Sequence, residues 1–361
     1  MNSVIRRMRF RLVLLSLAVL VQAAPLFAAY NVLSLGAGTV KIVVLPETAR
    51  PGDPVAVALA GPGPVLGAAA FVSRRAPGAE SADETAANSV QPAPSVPETS
   101  GGMDVLLFGT NGKRIGQAAF FSLNKENFFG PVRAAILAIP TTAKPGEALI
   151  RVGSEEDALA ELAFTIESRA FRTETLVLSQ TMSDILSVPD PQKTRESEHL
   201  WQILSHTGNE VFSPGNFVMP VNSQVQTSLF GGRRVYRYPD GQTGTSIHAG
   251  VDYRAREGTP ITVCAPGRVV FAAPRIVTGN TVIIEHMPGV YSLCYHLSKI
   301  SLAEGQIVAA GDPLGNAGST GFSTAAHLHW EIRVAGENTD PEVFMNRNIL
   351  DKDALLDKLY Q

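Results

Sequence analysis

The stretch from residue 248 to residue 329 constrains this chain more than any other. It carries His-Ala-Gly-Val-Asp at 248–252, Tyr-His-Leu at 295–297 and His-Leu-His at 327–329. In a β-strand the side chains at i, i+2 and i+4 share a face, so extended segments aim His248 and Asp252 at one point and His327 and His329 at another. On a helix the His-x-His pair would diverge. The flanks favour strands: 281–285, 290–295 and 328–334 are rich in β-branched and aromatic residues, with glycines between them.

Three ligands from His, Asp, Glu or Cys, with one position left open, make a catalytic zinc site. His248, Asp252 and one member of the 327/329 pair meet that requirement. Zinc lowers the pKa of bound water to about 7 and so supplies a nucleophile at neutral pH. His296 and the remaining member of the pair are then free to orient water, stabilise an oxyanion and protonate a leaving amine. A single strand histidine is ordinarily a satisfied structural residue. Here four of the chain's seven histidines fall at strand spacing among glycine turns. His286, beside Met-Pro-Gly, is expected in a turn or partly exposed, and His199 and His206 on a solvated helix. Glu331 shares the face of His329, where it either bonds a ligand or forms a peripheral salt bridge.

The rest of the chain supplies context. Arg6, Arg7, Arg9 and Arg11 precede an apolar run at 12–21 and small residues up to Ala29. That pattern is expected of an export signal at 1–29, either cleaved or retained as a membrane anchor. Export would place the chain in the periplasm or cell envelope, where Cys264 and Cys294 either bridge or stay as buried thiols. Apolar runs at 39–45, 55–59, 68–72, 104–108, 118–123, 132–139, 148–152 and 162–166, punctuated by turn residues, predict an immunoglobulin-like β-sandwich over 30–170. The stretch 74–102 is rich in Ala, Pro, Ser, Glu and Gly and is expected to be a disordered insertion. A linker with one helix, begun by Asp190 or Thr194 and stopped by Gly208, follows over 171–211. The catalytic domain is expected at 212–346 and a C-terminal tail at 347–361. The net charge of −3, with basic residues scattered beyond the N-terminus, gives no footprint for nucleic acid.

The C-terminal segment resembles the lysostaphin/LytM-type zinc metallopeptidases, which cut peptide cross-links in bacterial peptidoglycan. The resemblance spans residues 216–344. It rests on His-x-Gly-x-Asp at 248–252, Gly-Thr-Pro-Ile at 258–261, Gly-Asn at 279–280, Tyr-His-Leu at 295–297, Gly-Asp-Pro-Leu-Gly at 311–315, and Ser-Thr-Gly at 319–321 before His-Leu-His. It implies an antiparallel sheet with an extended-peptide groove. It further implies that His248, Asp252 and His329 bind Zn2+ and that His296 and His327 are the catalytic pair. Cys264 and Trp330 depart from the family's usual small residue and Phe. The resemblance also admits a non-catalytic relative that binds peptidoglycan or activates a cell-wall amidase, although such relatives typically lack a ligand. Peptidoglycan stem peptides or cross-links are the expected partners, and the N-terminal region is expected either to cover the groove or to act as a spacer or binding module.

Overall fold

A computed structural model describes residues 32–35, 40–61, 103–123 and 132–360 of the chain. The expected export signal at 1–29, the run at 68–72 and the expected disordered insertion at 74–102 lie outside the described residues. The described part is mainly β.

The N-terminal strands form two five-stranded sheets among the described residues. Strands Val40–Leu45, Pro54–Ala60 and Val132–Ala138 are neighbours in one sheet; Asp104–Phe108, Gly146–Gly153 and Ala158–Ile166 are neighbours in the other. Strand parity explains their composition. Ile42, Val44, Val55, Val57, Leu59, Ala135 and Leu137 point into the core shared with the second sheet. Their alternates Val43, Ala58, Ala60, Val132, Ala134, Ile136 and Ala138 belong to a different apolar cluster. That second cluster continues into the C-terminal half through Phe217, Phe230, Trp330, Phe344 and Leu350. A strand buried on both faces reads as a continuous apolar run, which is what Pro-Val-Ala-Val-Ala-Leu-Ala at 54–60 is. The alanines on the outer face let the C-terminal half approach closely.

The stretch read as a linker holds more structure than expected. Strand Thr173–Val177 runs parallel to Arg233–Arg237, which pairs in turn with Thr243–Ile247. Helix Gln180–Ser187, capped by Ser179, is an element that the sequence reading missed. The expected helix is Pro191–Ser205, with Asp190 as its N-cap accepting from the Gln192 amide and proline at the first turn. The 347–361 stretch carries helix Lys352–Tyr360, whose Leu355 and Leu359 are buried in the cluster shared with the N-terminal strands.

The C-terminal half is built on an antiparallel eight-stranded sheet. Its central strands are His327–Val334, Val290–Leu297 and Gly279–Met287. Along His-Leu-His-Trp-Glu-Ile-Arg-Val, the apolar Leu328, Trp330, Ile332 and Val334 enter the shared core. His327, His329, Glu331 and Arg333 therefore lie on the opposite face. Helix Pro191–Ser205 covers part of that face, with Leu204 against Ile283, Tyr291, Leu293 and Tyr295. The uncovered part holds the histidine cluster.

Candidate metal centre

Asp252 and His329 are directly opposed across the pair formed by Val251–Arg254 and His327–Val334, and Arg254 opposes His327. Cross-strand partners lie within side-chain reach, so register alone brings the carboxylate to the imidazole. His248 arrives differently. It follows the end of strand Thr243–Ile247 in the small sheet, and the chain crosses to the large sheet through Ala249 and Gly250. The alternation expected over 248–252 is thus replaced by a crossing between two strands. A Cβ at Gly250 would stand 2.2 Å from the Trp330 carbonyl oxygen, so only glycine permits this approach.

The three side chains converge. His248 Nε2 is 3.1 Å from Asp252 Oδ1 and 3.0 Å from His329 Nδ1, and His329 Nδ1 is 2.6 Å from the same carboxylate oxygen. A tetrahedral zinc with bonds of about 2.0–2.2 Å spaces its ligand atoms roughly 3.3 Å apart. The donor set fits with a small expansion. The outer nitrogens also fit. His248 Nδ1 donates to the Leu229 carbonyl at 2.8 Å, and His329 Nε2 donates to Glu331 Oε1 at 3.0 Å. Each bond turns the other ring nitrogen toward the cluster, as metal-binding histidines require; on His329 a metal would take the place of the Nδ1 proton. Glu331 also receives Arg333 at 2.9 Å, so it bonds His329 and at the same time forms a salt bridge that is buried, not peripheral.

Electrostatics follow from burial and partners. Burial alone would raise the Asp252 carboxyl, yet His329 and His248 hold it well below the usual range. Burial opposes the charge on His329, but the Asp252 and Glu331 carboxylates overcome it and raise the imidazole to about 9. Burial would likewise raise Glu331, and Arg333 and His329 bring it down to about 2.

His296 and His327 flank the three. His327 Nε2 is 3.6 Å from Asp252 Oδ1, and its Nδ1 donates to the Ala325 carbonyl at 2.7 Å. His296 Nδ1 donates to the Thr320 carbonyl at 2.8 Å, and the two rings are 4.9 Å apart. Simple alternation would send His296 to the face opposite Tyr295. A bulge prevents this: Asn280 pairs Leu297 and Val282 pairs Cys294, leaving an extra residue on the 290–297 strand, and His296 has φ 60°. Bulges re-aim side chains in this way, and a left-handed non-glycine costs about 1–3 kcal/mol. The Thr320 loop is held in turn by Gly279 and Gly321, both at positive φ; a Cβ on either would lie 2.2 Å from Thr320 Oγ1 or 2.4 Å from the Gly279 amide. Gly318 is likewise a close-approach position, where a Cβ would stand 2.5 Å from the Ser298 amide nitrogen. Tyr295 stacks on His329 with rings 2° from parallel.

The remaining histidines stay apart from the cluster. His286 is fully buried in strand Gly279–Met287, which corrects the expected turn or partial exposure; its nitrogens meet the Pro266 carbonyl and Ser292 Oγ. His199 and His206 are exposed on the helix and at its C-cap. Cys264 and Cys294 are buried free thiols. The sequence reading missed Arg234, Glu174 and Ser228, which ring the cluster. Arg234 donates to Asp252 Oδ2 at 2.9 Å, and no periodic or motif signal marked it.

Residues 246–341 match the model of peptidase family M23. The match covers that segment alone, and M23 peptidases are metallopeptidases. The DD-carboxypeptidase/endopeptidase Mpg of Neisseria meningitidis serogroup B is 44% identical over 95 residues, which cover 26% of this chain and 22% of that protein. Lysostaphin of Staphylococcus simulans is 40% identical over 99 residues, 27% of this chain and 20% of its own length. An M23 peptidase structure from Pseudomonas aeruginosa aligns at a TM-score of 0.47 and 25% identity, covering 67% of this chain and 87% of that one. The chain thus spans about a fifth of the length of these curated relatives.

Proposed function

We propose that this protein is an exported zinc endopeptidase that hydrolyses peptide cross-links of bacterial peptidoglycan, with His248, Asp252 and His329 as zinc ligands. The observation that carries the reading is the convergence of two imidazole nitrogens on one carboxylate oxygen, each ring fixed by a partner on its outer nitrogen. The family domain supports it, as do the relatives, among them a Vibrio cholerae protein named peptidoglycan DD-endopeptidase that is 38% identical over 89 residues. The arginine-rich leader followed by an apolar run supports export to the periplasm or cell envelope.

Zinc held there acts as a Lewis acid and makes water a stronger nucleophile at neutral pH. The protein's own groups handle protons. With Nδ1–H committed to the Thr320 carbonyl, His296 keeps its lone pair on Nε2. Burial, reinforced by His329 and His327, pushes this residue down to about 3, so it is neutral at pH 7 and its Nε2 lone pair can accept a hydrogen bond from the attacking water. His327, tethered likewise to the Ala325 carbonyl, presents Nε2 beside Asp252, where as the imidazolium it would give its Nε2 proton to the leaving amine and return to the neutral ring. An extended peptide in the groove is held by backbone contacts with the scissile carbonyl near the three ligands.

Mass spectrometry of purified peptidoglycan digested with the full chain tests this. Loss of cross-linked peptides, abolished by a chelator and restored by zinc, is expected. Binding of peptidoglycan without any new peptide terminus would overturn it in favour of a non-catalytic relative.

A further inference from the structure

Arg234 stands on strand Arg233–Arg237, the middle strand of the small sheet, between Glu174 on one neighbouring strand and Ser246 on the other. Its side chain is 15% exposed and is fixed at three points. Nε donates to Glu174 Oε1 at 2.7 Å, and one terminal nitrogen donates to Ser228 Oγ at 2.9 Å and to Asp252 Oδ2 at 2.9 Å. Ser228 closes the network by donating to Glu174 Oε1 at 2.8 Å, while its oxygen lies 3.2 Å from His248 Nδ1.

A carboxylate can offer a metal either oxygen or both. Here Oδ2 is engaged by the guanidinium, and Oδ1 alone faces His248 Nε2 and His329 Nδ1. Glu174 matters for charge as well as geometry. An uncompensated cation beside Asp252 would repel a divalent ion, and the Glu174 carboxylate neutralises it. The fork-shaped guanidinium serves both carboxylates at once, which a lysine ammonium does not. Glu174, Ser228 and Arg234 all lie outside the residues matched by the family.

We propose that Arg234 is a positioning residue of the metal centre, held by Glu174 and Ser228, which fixes Asp252 so that a single oxygen is presented to the ion. The centre is thereby completed by a strand from the region before the family segment. This rests on the zinc reading above.

Zinc affinity of the full chain, measured by chelator competition, tests it for wild type, Arg234→Gln, Arg234→Lys, Glu174→Gln and the Glu174→Gln/Arg234→Gln pair. Thermal unfolding confirms that each is folded. Arg234→Gln is expected to weaken zinc about 10- to 100-fold, the range found when an outer partner of a metal ligand is removed. Arg234→Lys recovers part of this, and Glu174→Gln loses less. The double variant is no weaker than Arg234→Gln, because Glu174 acts through Arg234. A merely structural arginine would lower the unfolding temperature and leave the zinc affinity of the folded chain unchanged. Wild-type affinity in Arg234→Gln overturns the proposal, as do additive losses in the double variant. Absence of zinc binding by the wild type would overturn the zinc reading itself.

Discussion

His286 and His329 sit on opposite faces of one sheet, both buried, and their partners differ in one respect. His286 meets a carbonyl, a hydroxyl and, at 3.7 Å, the Cys264 sulfur. His329 meets two carboxylates. Burial in neutral company pushes His286 down to about 4, whereas the carboxylates raise His329 to about 9 despite equal burial. Lone pairs differ too. The Ser292 hydroxyl donates to His286 Nε2, leaving nothing to offer, while His329 Nδ1 and His248 Nε2 face one another at 3.0 Å. A buried histidine is thus a core residue or a candidate ligand according to the charge of its partners and the direction in which its remaining ring nitrogen points.

The largest effect that would break this contrast lies in the carboxylate cluster. Asp252→Ala or His248→Ala is expected to abolish zinc binding and peptide cleavage together, since two ligands hold zinc poorly. Near-native circular dichroism is expected, because apolar strands build the core. Full zinc occupancy in either variant would refute the ligand assignment. Next in size, His296→Ala or His327→Ala should keep zinc and lower turnover about a hundredfold or more. Loss of zinc in the His327 variant with retention in a His329 variant would reverse the two roles.

The neutral cluster makes its own, smaller prediction. The folded His286 value lies below the unfolded value of about 6.5, so the unfolded chain takes up more protons between them. Its contribution to stability is full above pH 6.5 and is lost as pH falls toward 4, amounting to about 2–3 kcal/mol at pH 4.5. Denaturant unfolding of His286→Gln at pH 7 and 4.5 should show a shallower acid loss than wild type; equal slopes would contradict the assignment. Smallest of all, burial pushes the Cys264 thiol up to about 12 and raises Cys294 as well. Neither should react with a disulfide reagent until the chain unfolds, and the reagent should leave cleavage unchanged. Fast labelling in the folded state would count against a closed core there.

The legible parts of this fold were those with a local period. His-Leu-His-Trp-Glu-Ile-Arg-Val alternates because one face of its strand meets the core and the other the site. Capping chemistry alone offered Asp190 and Thr194 as helix starts, and Asp190 is the cap. What escaped was set by tertiary context. His296 reaches the site through a bulge and a positive φ, neither of which alternation foretells. His248 joins Asp252 by leaving one sheet for another. Arg234 and Glu174 meet across sixty positions by strand pairing, so nothing near either residue announces the contact. Helix Gln180–Ser187 has only eight residues, too few for a clear period.

Anomalous scattering at the zinc edge from crystals of the full chain tests the central claim most directly. A single peak is predicted between His248 Nε2, Asp252 Oδ1 and His329 Nδ1, with none near His286. A map with no peak at the three ligands, or with zinc at Cys264 and His286 instead, would contradict it.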